Sequence, residues 1–442
     1  MNRRDVLKAS AAAAAGFLIL PSGARAGKNT PGSKLNIALI GTWGRAFAHH
    51  DMLQGENVVA VCDVNSKHLA EAVKKFPGAK PYVDWRVCLE QKDIDSVVVC
   101  TPDHTHAFIA MWAMNRGMHV YCEKPIANCV AEARLVRETY LKNKDKIATQ
   151  TGTQRHEKAN FARVSEMVRD GAVGELKSVY AWGNRQLRKP GYLPAEGTPP
   201  DHLNWDLWLG PSKEHPYNSG YFAGGAGMNC LSWNMFWDFG TGQIGDMGSH
   251  TMDLAWKALD AKLPTEIEAE GDPYNEDVTP VKLHSSFIMP ANDWRPAIQL
   301  NWHQGGDMPK SPWGGIDLNG IGHGVMFKGS LGYIVADFDN RILMPYGKGA
   351  DLTHYKPRAP DQLTPPMGNF QMEWVNACKG NLKTTCNFDY SGHLIETMLL
   401  GLVAYRAGKK LTYDGATGKI TNDEAANAFL SKEYRPGWIL NG

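Results

Sequence analysis

Residues 96–128, SVVVCTPDHTHAFIAMWAMNRGMHVYCEKPIAN, constrain the fold of this chain more than any other stretch. The apolar, β-branched run 97–99 predicts a strand that is buried on both faces. Residues 106–116 have helical spacing, and 119–122 form a second short strand that ends in Glu123-Lys124-Pro125. A strand, a helix and a strand within about thirty residues predict a parallel βαβ unit, whose ligands bind outside the carboxyl ends of the strands. The residues expected at those ends are Thr101, Pro102, His106, Glu123 and Lys124.

A glycine turn follows the first predicted strand, residues 35–40. Its sequence is Gly41-Thr42-Trp43-Gly44-Arg45-Ala46. Such a turn between a buried strand and a helix lets backbone amides meet a pyrophosphate. Trp43 stands where a second glycine normally allows close approach, and Gly44 follows directly and can take over that role. Taken alone, the turn fits a cofactor site and an ordinary strand–helix connection equally. The cofactor-binding candidates here are Gly41, Trp43, Gly44 and Arg45.

Asp63 ends the next predicted strand, residues 58–62. An acidic side chain at this point can accept hydrogen bonds from the diol of a ribose, and its charge would repel a 2′-phosphate. We therefore expect the cofactor to be NAD, with NADP less favoured. The alternative is that Asp63 caps the following helix or its turn.

The segment TPDHTHA and the Glu-Lys-Pro triplet after a strand resemble the Gfo/Idh/MocA family of sugar and polyol oxidoreductases, of the glucose–fructose oxidoreductase type. The segments that carry the resemblance are 37–64, 96–128 and 244–253. It implies an α/β fold with an N-terminal Rossmann domain, a doubly wound parallel sheet, over 35–152. An α+β domain with an open, mainly antiparallel sheet would follow over 153–442. Family members commonly associate through that open sheet, so we expect a homo-oligomer.

The segment 245–253, GDMGSHTMD, is the second group of chemical residues. If a helix begins here, Asp246 and His250 share a face, and an imidazole suits removal of a hydroxyl proton near neutral pH. In the family, an aspartate and a histidine at this spacing join the lysine of the Glu-Lys-Pro triplet. The resemblance thus implies that Lys124 orients the reacting hydroxyl, His250 is the acid/base, and Asp246 orients substrate or imidazole. The alternatives are a helix cap for Asp246 and a core histidine for His250, and Asp253 is a weaker candidate for supporting His250.

Other candidates concern the substrate. Arg155 and His156 open the second domain, where family members place substrate contacts. A tryptophan face suits the apolar side of a sugar ring, although most tryptophans are partly buried core. The four tryptophans considered are Trp205, Trp208, Trp233 and Trp237. His104 and His106 form an HxH pair, but no further ligands stand at metal-site spacing, so we predict no metal centre.

The N-terminus, residues 1–26, resembles a twin-arginine export signal. Asn2-Arg3-Arg4 precedes an apolar run, and Ala24-Arg25-Ala26 is an A-x-A cleavage motif. The alternative is an N-terminal core helix. We expect cleavage near Ala26, a linker over 27–34, the twin-arginine machinery as a partner and a periplasmic or other extracytoplasmic location. The apolar run is too short for stable membrane insertion.

Composition adds exclusions. The formal net charge of +1 gives no electrostatic case for binding nucleic acid. The eight cysteines contain no CxxC pair, which favours buried free thiols over a disulfide framework.

Three functions remain open. The first is an exported oxidoreductase that transfers a hydride between a tightly bound NAD and a sugar, glycoside or polyol hydroxyl, because no nicotinamide pool exists outside the cytoplasm. The second is an NAD-dependent glycoside hydrolase of the α-N-acetylgalactosaminidase type, which oxidises, eliminates, adds water and reduces. One tyrosine would assist its elimination step, and the candidates are Tyr180, Tyr192 and Tyr221. The third is a sugar-binding protein whose cofactor site is blocked by Trp43.

Overall fold

The first sheet has six parallel strands in the order β3-β2-β1-β4-β5-β6, which confirms the doubly wound Rossmann topology. The computed structural model describes residues 34–185, 190–312, 316–347 and 351–442, so the predicted signal segment, residues 1–26, lies outside the described residues. The strands are β1 Asn36–Ile40, β2 Asn57–Cys62, β3 Lys80–Tyr82, β4 Ser96–Val99, β5 His119–Cys122 and β6 Thr149–Thr151. Their register brings the carboxyl ends of β1, β2, β4 and β5 to one edge.

The second sheet has nine strands in the order β13-β12-β11-β7-β10-β9-β8-β14-β15. All neighbouring pairs are antiparallel except β7 and β10, which confirms the predicted mainly antiparallel sheet. The strands are β7 Leu176–Gly183, β8 Glu266–Gly271, β9 Leu283–Met289, β10 Ile298–Gln304, β11 His323–Gly329, β12 Gly332–Ala336, β13 Arg341–Pro345, β14 Leu411–Asp414 and β15 Lys419–Ile420.

Thirteen α-helices connect and cover the two sheets within the described ranges. They are α1 His50–Gln54, α2 Ser66–Lys75, α3 Trp85–Cys88, α4 Asp103–Asn115, α5 Val130–Asn143, α6 Ala159–Arg169, α7 Trp205–Leu209, α8 Cys230–Trp233, α9 Gly242–Asp246, α10 Gly248–Leu259, α11 Leu318–Ile321, α12 Phe370–Lys379 and α13 Phe388–Ala407. Short 3₁₀ helices lie at Gly44–His49, Gln154–Glu157, Ser219–Phe222, Pro360–Gln362 and Glu424–Leu430. In the described part of the chain, no helix is both long and apolar enough to cross a membrane.

The sequence predicts one helix from Gly245 onward, but the structure has two. These are α9 and α10, with Met247 as the junction. Asp246 therefore ends one helix and His250 lies in the first turn of the next, and both side chains remain buried at the same cavity. The glycine turn likewise leads into a 3₁₀ helix, Gly44–His49, before α1 begins.

The last third of the chain completes the first domain. Phe370 and Trp374 of α12 are fully buried in the same apolar cluster as β1, β4 and Tyr121 of β5. The C-terminal tail forms an extended arm on the first domain: Trp438 packs against Trp85, and the Trp112 indole N–H donates to the carbonyl of Ile439 at 2.9 Å. The sequence boundary near residue 152 thus marks the end of the first sheet, while that sheet's covering layer includes residues from far downstream.

Candidate active site

Two adjoining cavities lie along the carboxyl edge of the first sheet, where the second domain covers it. The first, here the lysine pocket, is lined by Arg45, Lys124, Arg185, Asn234, Asp246 and His250, among others. The second, here the aspartate groove, is lined by Gly41, Asp63, His68, Leu203, Trp208 and Phe222, among others. They share the wall residues Trp43, Cys100, Thr101, Pro102, Asn229 and Trp233. Together they form one elongated site from Asp63 to Lys124, as expected for strand ends in a Rossmann sheet.

Asp63 occupies the far end of the aspartate groove and also braces the glycine turn. Its Oδ2 accepts hydrogen bonds from the amide and the hydroxyl of Thr42 at 2.9 and 3.0 Å. Its Oδ1 accepts from the amide of Asn65 at 2.9 Å, and Asn65, not Asp63, caps α2. A methyl group on Gly41, whose φ is 77°, would lie 2.7 Å from the Cys100 carbonyl, so close strand packing requires glycine there. The turn and its aspartate are thus one connected unit.

Trp43 lies along the wall that the two cavities share. Its indole stacks on the His68 ring, with centroids 4.9 Å apart and planes within 6°. This contact holds the side chain against the groove wall beside Asp63. Gly44 lies beneath the second domain, where an added Cβ would be 3.4 Å from Asn229 Oδ1.

The irregular segment 190–241 covers the site. Its residues join the first domain beside Asp63, since the Ser66 amide donates to the His202 carbonyl at 2.7 Å and the Asn204 amide donates to the Val64 carbonyl at 2.9 Å. Further along, Asn229 and Trp233 wall both cavities. A long irregular segment in a compact domain usually serves a binding site, and this one closes over the groove.

Glu123, the first residue of the Glu-Lys-Pro triplet, contacts two basic side chains. Its Oε1 lies 2.9 Å from Arg45 Nε and 2.8 Å from His49 Nε2. Burial opposes ionisation, but Arg45 and the His49 hydrogen bond hold the pKa of Glu123 well below its usual range. On its far side Gly152 leaves no room for a side chain, because a Cβ would lie 2.5 Å from Glu123 Oε2. Glu123 and Arg45 therefore secure each other at the pocket wall.

Lys124, the next residue, turns toward the second domain and pairs with Asp246. Its ammonium contacts Asp246 Oδ1 and donates to the Asp246 carbonyl at 3.2 Å. Burial disfavours both charges, yet each partner favours the other's charge, so the pKa of Lys124 is raised and that of Asp246 is lowered. Asp246 Oδ2 has no hydrogen-bond partner within the described ranges. The pair is charged and faces the cavity with acceptor capacity unused.

His250 stands beside this pair as a neutral imidazole. Burial, and then the Lys124 charge, hold the pKa of His250 well below its ordinary value. Its side chain is 5% exposed, and Nδ1 has no hydrogen-bond partner among the residues that the structure describes. A neutral, unpaired imidazole next to a cationic amine can accept a proton from a hydroxyl that the amine holds.

The two histidines of the HxH pair serve the framework. His106 is buried with Nδ1 2.7 Å from the Pro125 carbonyl oxygen and Nε2 2.7 Å from that of Thr101, so it ties the two strand ends together at the pocket floor. His104 contacts the Trp208 carbonyl at 2.9 Å, and burial lowers its pKa to about 4. Of the four tryptophans considered, Trp233 lines the lysine pocket and Trp208 the groove, whereas Trp205 and Trp237 line neither.

The predicted substrate residues Arg155 and His156 do not line the lysine pocket. The Arg155 guanidinium lies over the Phe338 ring at 5.0 Å. His156 instead pairs with Asp253 of α10, with its Nδ1 2.8 Å from Asp253 Oδ2. Asp253, considered as a support for His250, is thereby engaged elsewhere. The tyrosines proposed for elimination, Tyr180, Tyr192 and Tyr221, also lie outside the lysine pocket.

Several residues of the lysine pocket were not predicted as site residues from the sequence. Asp103 opens α4 at the pocket, and burial raises its pKa well above the usual range. Asn234 is 3% exposed, and its Oδ1 lacks a partner in the described part of the chain. Arg185 follows β7 directly. Arg185 could have been found in the sequence as a lone cation just beyond the carboxyl end of a strand. Asn234 could not, because its segment has no periodicity that predicts structure.

This geometry defines a dinucleotide-binding oxidoreductase, and comparison with known proteins gives the family. Two domain models of one family match the chain: an oxidoreductase family, NAD-binding Rossmann fold, over residues 35–151, and an oxidoreductase family, C-terminal alpha/beta domain, over 177–287. Together they cover more than half of the chain. The chain belongs to the Gfo/Idh/MocA oxidoreductase family.

Curated relatives match over part of the chain. An inositol 2-dehydrogenase from Salmonella typhimurium is 30% identical over 129 residues, which is 29% of this chain and 38% of the relative. A glycosyl hydrolase family 109 protein from Shewanella baltica is 31% identical over 210 residues, 40% of this chain and 44% of the relative. The chain thus spans less than half the length of these relatives.

Solved structures share the fold. The WlbA dehydrogenase from Bordetella pertussis, in complex with NADH and UDP-GlcNAcA, has a TM-score of 0.60 at 15% identity, covering 86% of this chain and 99% of that one. An aldose-aldose oxidoreductase from Caulobacter crescentus has a TM-score of 0.55 at 15% identity, with 86% and 99% covered.

The residues present fit a nicotinamide dinucleotide. The elongated site begins at an aspartate that can face a ribose, passes a glycine turn, and ends at the Lys124–Asp246 pair. Among the described residues that line the two cavities, most buried polar atoms without partners, His250 Nδ1 and Asn234 Oδ1 included, lie at the lysine end. The groove can therefore hold the dinucleotide, with the reacting end beside Lys124 and His250.

Proposed function

We propose that this protein is an exported NAD-dependent oxidoreductase that transfers a hydride between a tightly bound nicotinamide cofactor and a hydroxyl-bearing carbon of a sugar, glycoside or polyol. The carrying observation is the charged Lys124–Asp246 pair beside the neutral, unpaired His250. A polyhydroxylated substrate suits this pocket, because its hydroxyls can hydrogen-bond with buried donors and acceptors that lack partners among the described residues.

Lys124, His250 and Asp246 have separate roles in the proposed reaction. Lys124 donates a hydrogen bond to the reacting hydroxyl and stabilises negative charge on that oxygen as the carbon is oxidised. His250, neutral before the reaction, takes the hydroxyl proton. Asp246 holds the Lys124 ammonium in place and keeps it charged, and its free Oδ2 can accept from a neighbouring hydroxyl. When bound, NAD⁺ accepts the hydride.

Two features support a tightly held cofactor. Segment 190–241 closes over the groove through backbone hydrogen bonds beside Asp63, so release requires that cover to open. Asp63 favours NAD over NADP, because a carboxylate already shared with Thr42 would repel a 2′-phosphate.

Asp63→Ala tests the cofactor assignment. We expect the purified variant to retain about tenfold less NAD than the parent, because both the ribose contact and the brace of the turn are lost. Thr42→Val is the matched control, since it removes one hydrogen bond of the brace and leaves the carboxylate. Mass spectrometry of the released nucleotide gives occupancy and identity. Equal occupancy in Asp63→Ala, or NADP as the bound form, would contradict the assignment.

Export is part of the proposal. The twin-arginine-like start of the chain supports it. Fractionation of the native host followed by N-terminal sequencing tests it. A mature form beginning after Ala26 in the extracytoplasmic fraction agrees with export, and a full-length cytoplasmic form contradicts it.

The main experiment follows the bound nicotinamide by absorbance while the native protein meets a panel of sugars, polyols and aryl glycosides. Reduction that persists until a second sugar or redox acceptor is added supports the oxidoreductase. Absence of bound dinucleotide would favour the sugar-binding alternative, with Trp43→Gly as the next variant.

A second candidate is the NAD-dependent glycoside hydrolase, favoured by the relative from Shewanella baltica that shares 31% identity over 210 residues. Lys124 and His250 would serve its oxidation step as well. None of the three tyrosines considered for its elimination step lies in the lysine pocket, which weighs against it. Release of the aglycone without net nicotinamide reduction would select the hydrolase.

A further inference from the structure

The charged groups that line the lysine pocket are not evenly paired. Its described lining carries three cations, of which Arg45 is paired with Glu123 and Lys124 with Asp246. The remaining cation is Arg185. The third carboxyl group, Asp103, is buried in the same wall, and burial favours its neutral form. Of the three cations, Arg185 therefore has the weakest pairing in the described part of this pocket, a 3.5 Å contact with the aspartate that also pairs with Lys124.

Arg185 makes no strong polar contact with its described neighbours. Its nearest carboxylate oxygen is Asp246 Oδ2, at 3.5 Å from the guanidinium, and that aspartate already neutralises Lys124. Its Nη1 and Nη2 otherwise face sulfur, Met247 Sδ at 3.7 Å and Cys230 Sγ at 3.9 Å. Its Nε is buried and has no acceptor among the described residues. Nε therefore has an N–H without a described acceptor, and Nη2, on the same edge, is held only by the 3.5 Å ion pair and the sulfur contact.

The position of Arg185 assigns that edge to the substrate end of the site. Arg185 follows β7 of the second domain and lines the lysine pocket, whereas it does not line the aspartate groove. Arg45, by contrast, stands in the glycine turn. On β11, burial and then Arg185 lower the pKa of His323, which places the guanidinium charge near that strand.

We propose that Arg185 binds a carboxylate of the substrate, so that the lysine pocket accepts a sugar acid such as a uronic acid. A planar guanidinium presents two parallel N–H donors that match a carboxylate in a bidentate pair. The nearby Asp246–Lys124 pair then receives the hydroxyl that reacts. The inference rests on the proposed function in one respect, the use of the lysine pocket as the substrate site.

Binding measurements on the NAD-loaded protein test the proposal without requiring turnover. Calorimetry would compare D-galacturonate, its methyl ester and D-galactose, and likewise D-glucuronate, its methyl ester and D-glucose. The ester keeps the ring and removes the charge. We expect at least one acid to bind about tenfold or more tightly than its ester, as suits a charge-assisted bidentate pair.

Variants locate the effect. In Arg185→Gln the preference for the acid should fall to within about twofold, with unchanged NAD content. Arg185→Lys should keep an intermediate preference, because it retains the charge without the fork. Arg116→Gln, which breaks a surface ion pair with Glu90, is the matched control and should behave as the parent. If Arg185→Gln does not fold, the test is the acid preference of Arg185→Lys. That preference should lie below the parent's, and an unchanged preference would contradict the proposal.

Three outcomes overturn the proposal. They are equal affinity for acid and ester, a preference that survives in Arg185→Gln, and tighter binding of a sugar phosphate than of any uronate. Nicotinamide absorbance separates this proposal from the function on which it rests. Arg185-dependent binding without any nicotinamide reduction keeps the carboxylate site and removes the oxidoreductase. Equal reduction of the bound nicotinamide by neutral sugars and by sugar acids would keep the oxidoreductase and remove the carboxylate site.

Discussion

Two histidine–aspartate sets, Asp253 with His156 and Asp246 with His250, meet at α10 and behave in opposite ways. In the first set, both oxygens of Asp253 have partners, His156 Nδ1 at 2.8 Å and the Tyr390 hydroxyl at 2.6 Å. Toward the lysine pocket, Asp246 Oδ2 and His250 Nδ1 have no hydrogen-bond partner in the described ranges. Burial opposes the charged imidazole in both, but Asp253 raises the pKa of His156 to about 10, whereas burial and Lys124 lower that of His250.

The difference distinguishes structural from chemical use of the same residue types. A buried carboxylate whose two oxygens both accept hydrogen bonds, as in Asp253, stabilises one arrangement of the chain. A buried set with unused atoms, facing a cavity, has capacity for a substrate. Sequence spacing alone cannot tell the two apart, since Asp246, His250 and Asp253 all lie within one short stretch of α9 and α10.

The largest expected effect is on turnover. His250→Ala or Lys124→Ala should lower kcat by about 100- to 10,000-fold, because the proton acceptor or the charge-stabilising donor is lost. Fold and bound NAD should be retained, as judged by circular dichroism and nucleotide content. His284→Ala, on the second sheet outside the pocket, is the control. Residual activity of about a tenth or more in either variant would refute the catalytic assignment.

Breaking the other set should cost stability instead. Asp253→Ala leaves His156 and the Tyr390 hydroxyl without their buried partner, and we expect a loss of about 3–5 kcal/mol in the free energy of unfolding. Asp389→Ala, which breaks a half-exposed ion pair with Arg137, should cost no more than about 1 kcal/mol. Urea unfolding measures both. A loss below about 1 kcal/mol for Asp253→Ala would mean that the set is not structural.

The pH dependence of stability gives a finer test. Because the pKa of folded His156 is raised, its stabilisation should be complete below about 6.5, the pKa of an unfolded histidine, and should disappear as the pH rises to about 10. The groups facing it are Asp253, Cys386, Lys257 and Tyr390. The stability difference between the parent and His156→Gln should therefore shrink by a few kcal/mol over that range. A difference independent of pH would show that His156 is neutral when folded.

The smallest effect concerns one hydrogen bond. Tyr390→Phe removes a single donor to Asp253 and should cost about 0.5–1.5 kcal/mol, with kcat unchanged. The measurement is urea unfolding alongside steady-state turnover. A loss of turnover without a loss of stability would connect Asp253 to the lysine pocket and remove the distinction between the two sets.

Much of this arrangement could be predicted from sequence, because it depends on local signals. The run 97–99, the glycine turn and the triplet at 123–125 indicate strand ends in a parallel sheet, and the structure places them at one edge. The pair Asp246 and His250 reached the same cavity as Lys124, although the helix breaks at Met247. Edge strands β3 and β13 were missed because they are short and contain proline, which weakens the strand signal.

The rest depends on contacts between distant parts of the chain. His156 follows the first domain in sequence, but which side of α10 its ring faces is decided by Asp253, Tyr390 and their packing. Asn234 and Trp233 lie in a segment without periodicity, whose course is set by its docking on the first domain. The importance of Arg185 emerges only when the charges around it are counted in three dimensions.

The burial of α12 against the first sheet has a consequence for biosynthesis. Phe370 and Trp374 complete the apolar cluster that includes β1, and the arm at Trp438 covers α3 and α4. A nascent chain that has just delivered its first 152 residues therefore still lacks one side of its first domain. The first domain can close fully only after residues 370–379 have been made, so we expect its folding to follow synthesis of most of the second sheet.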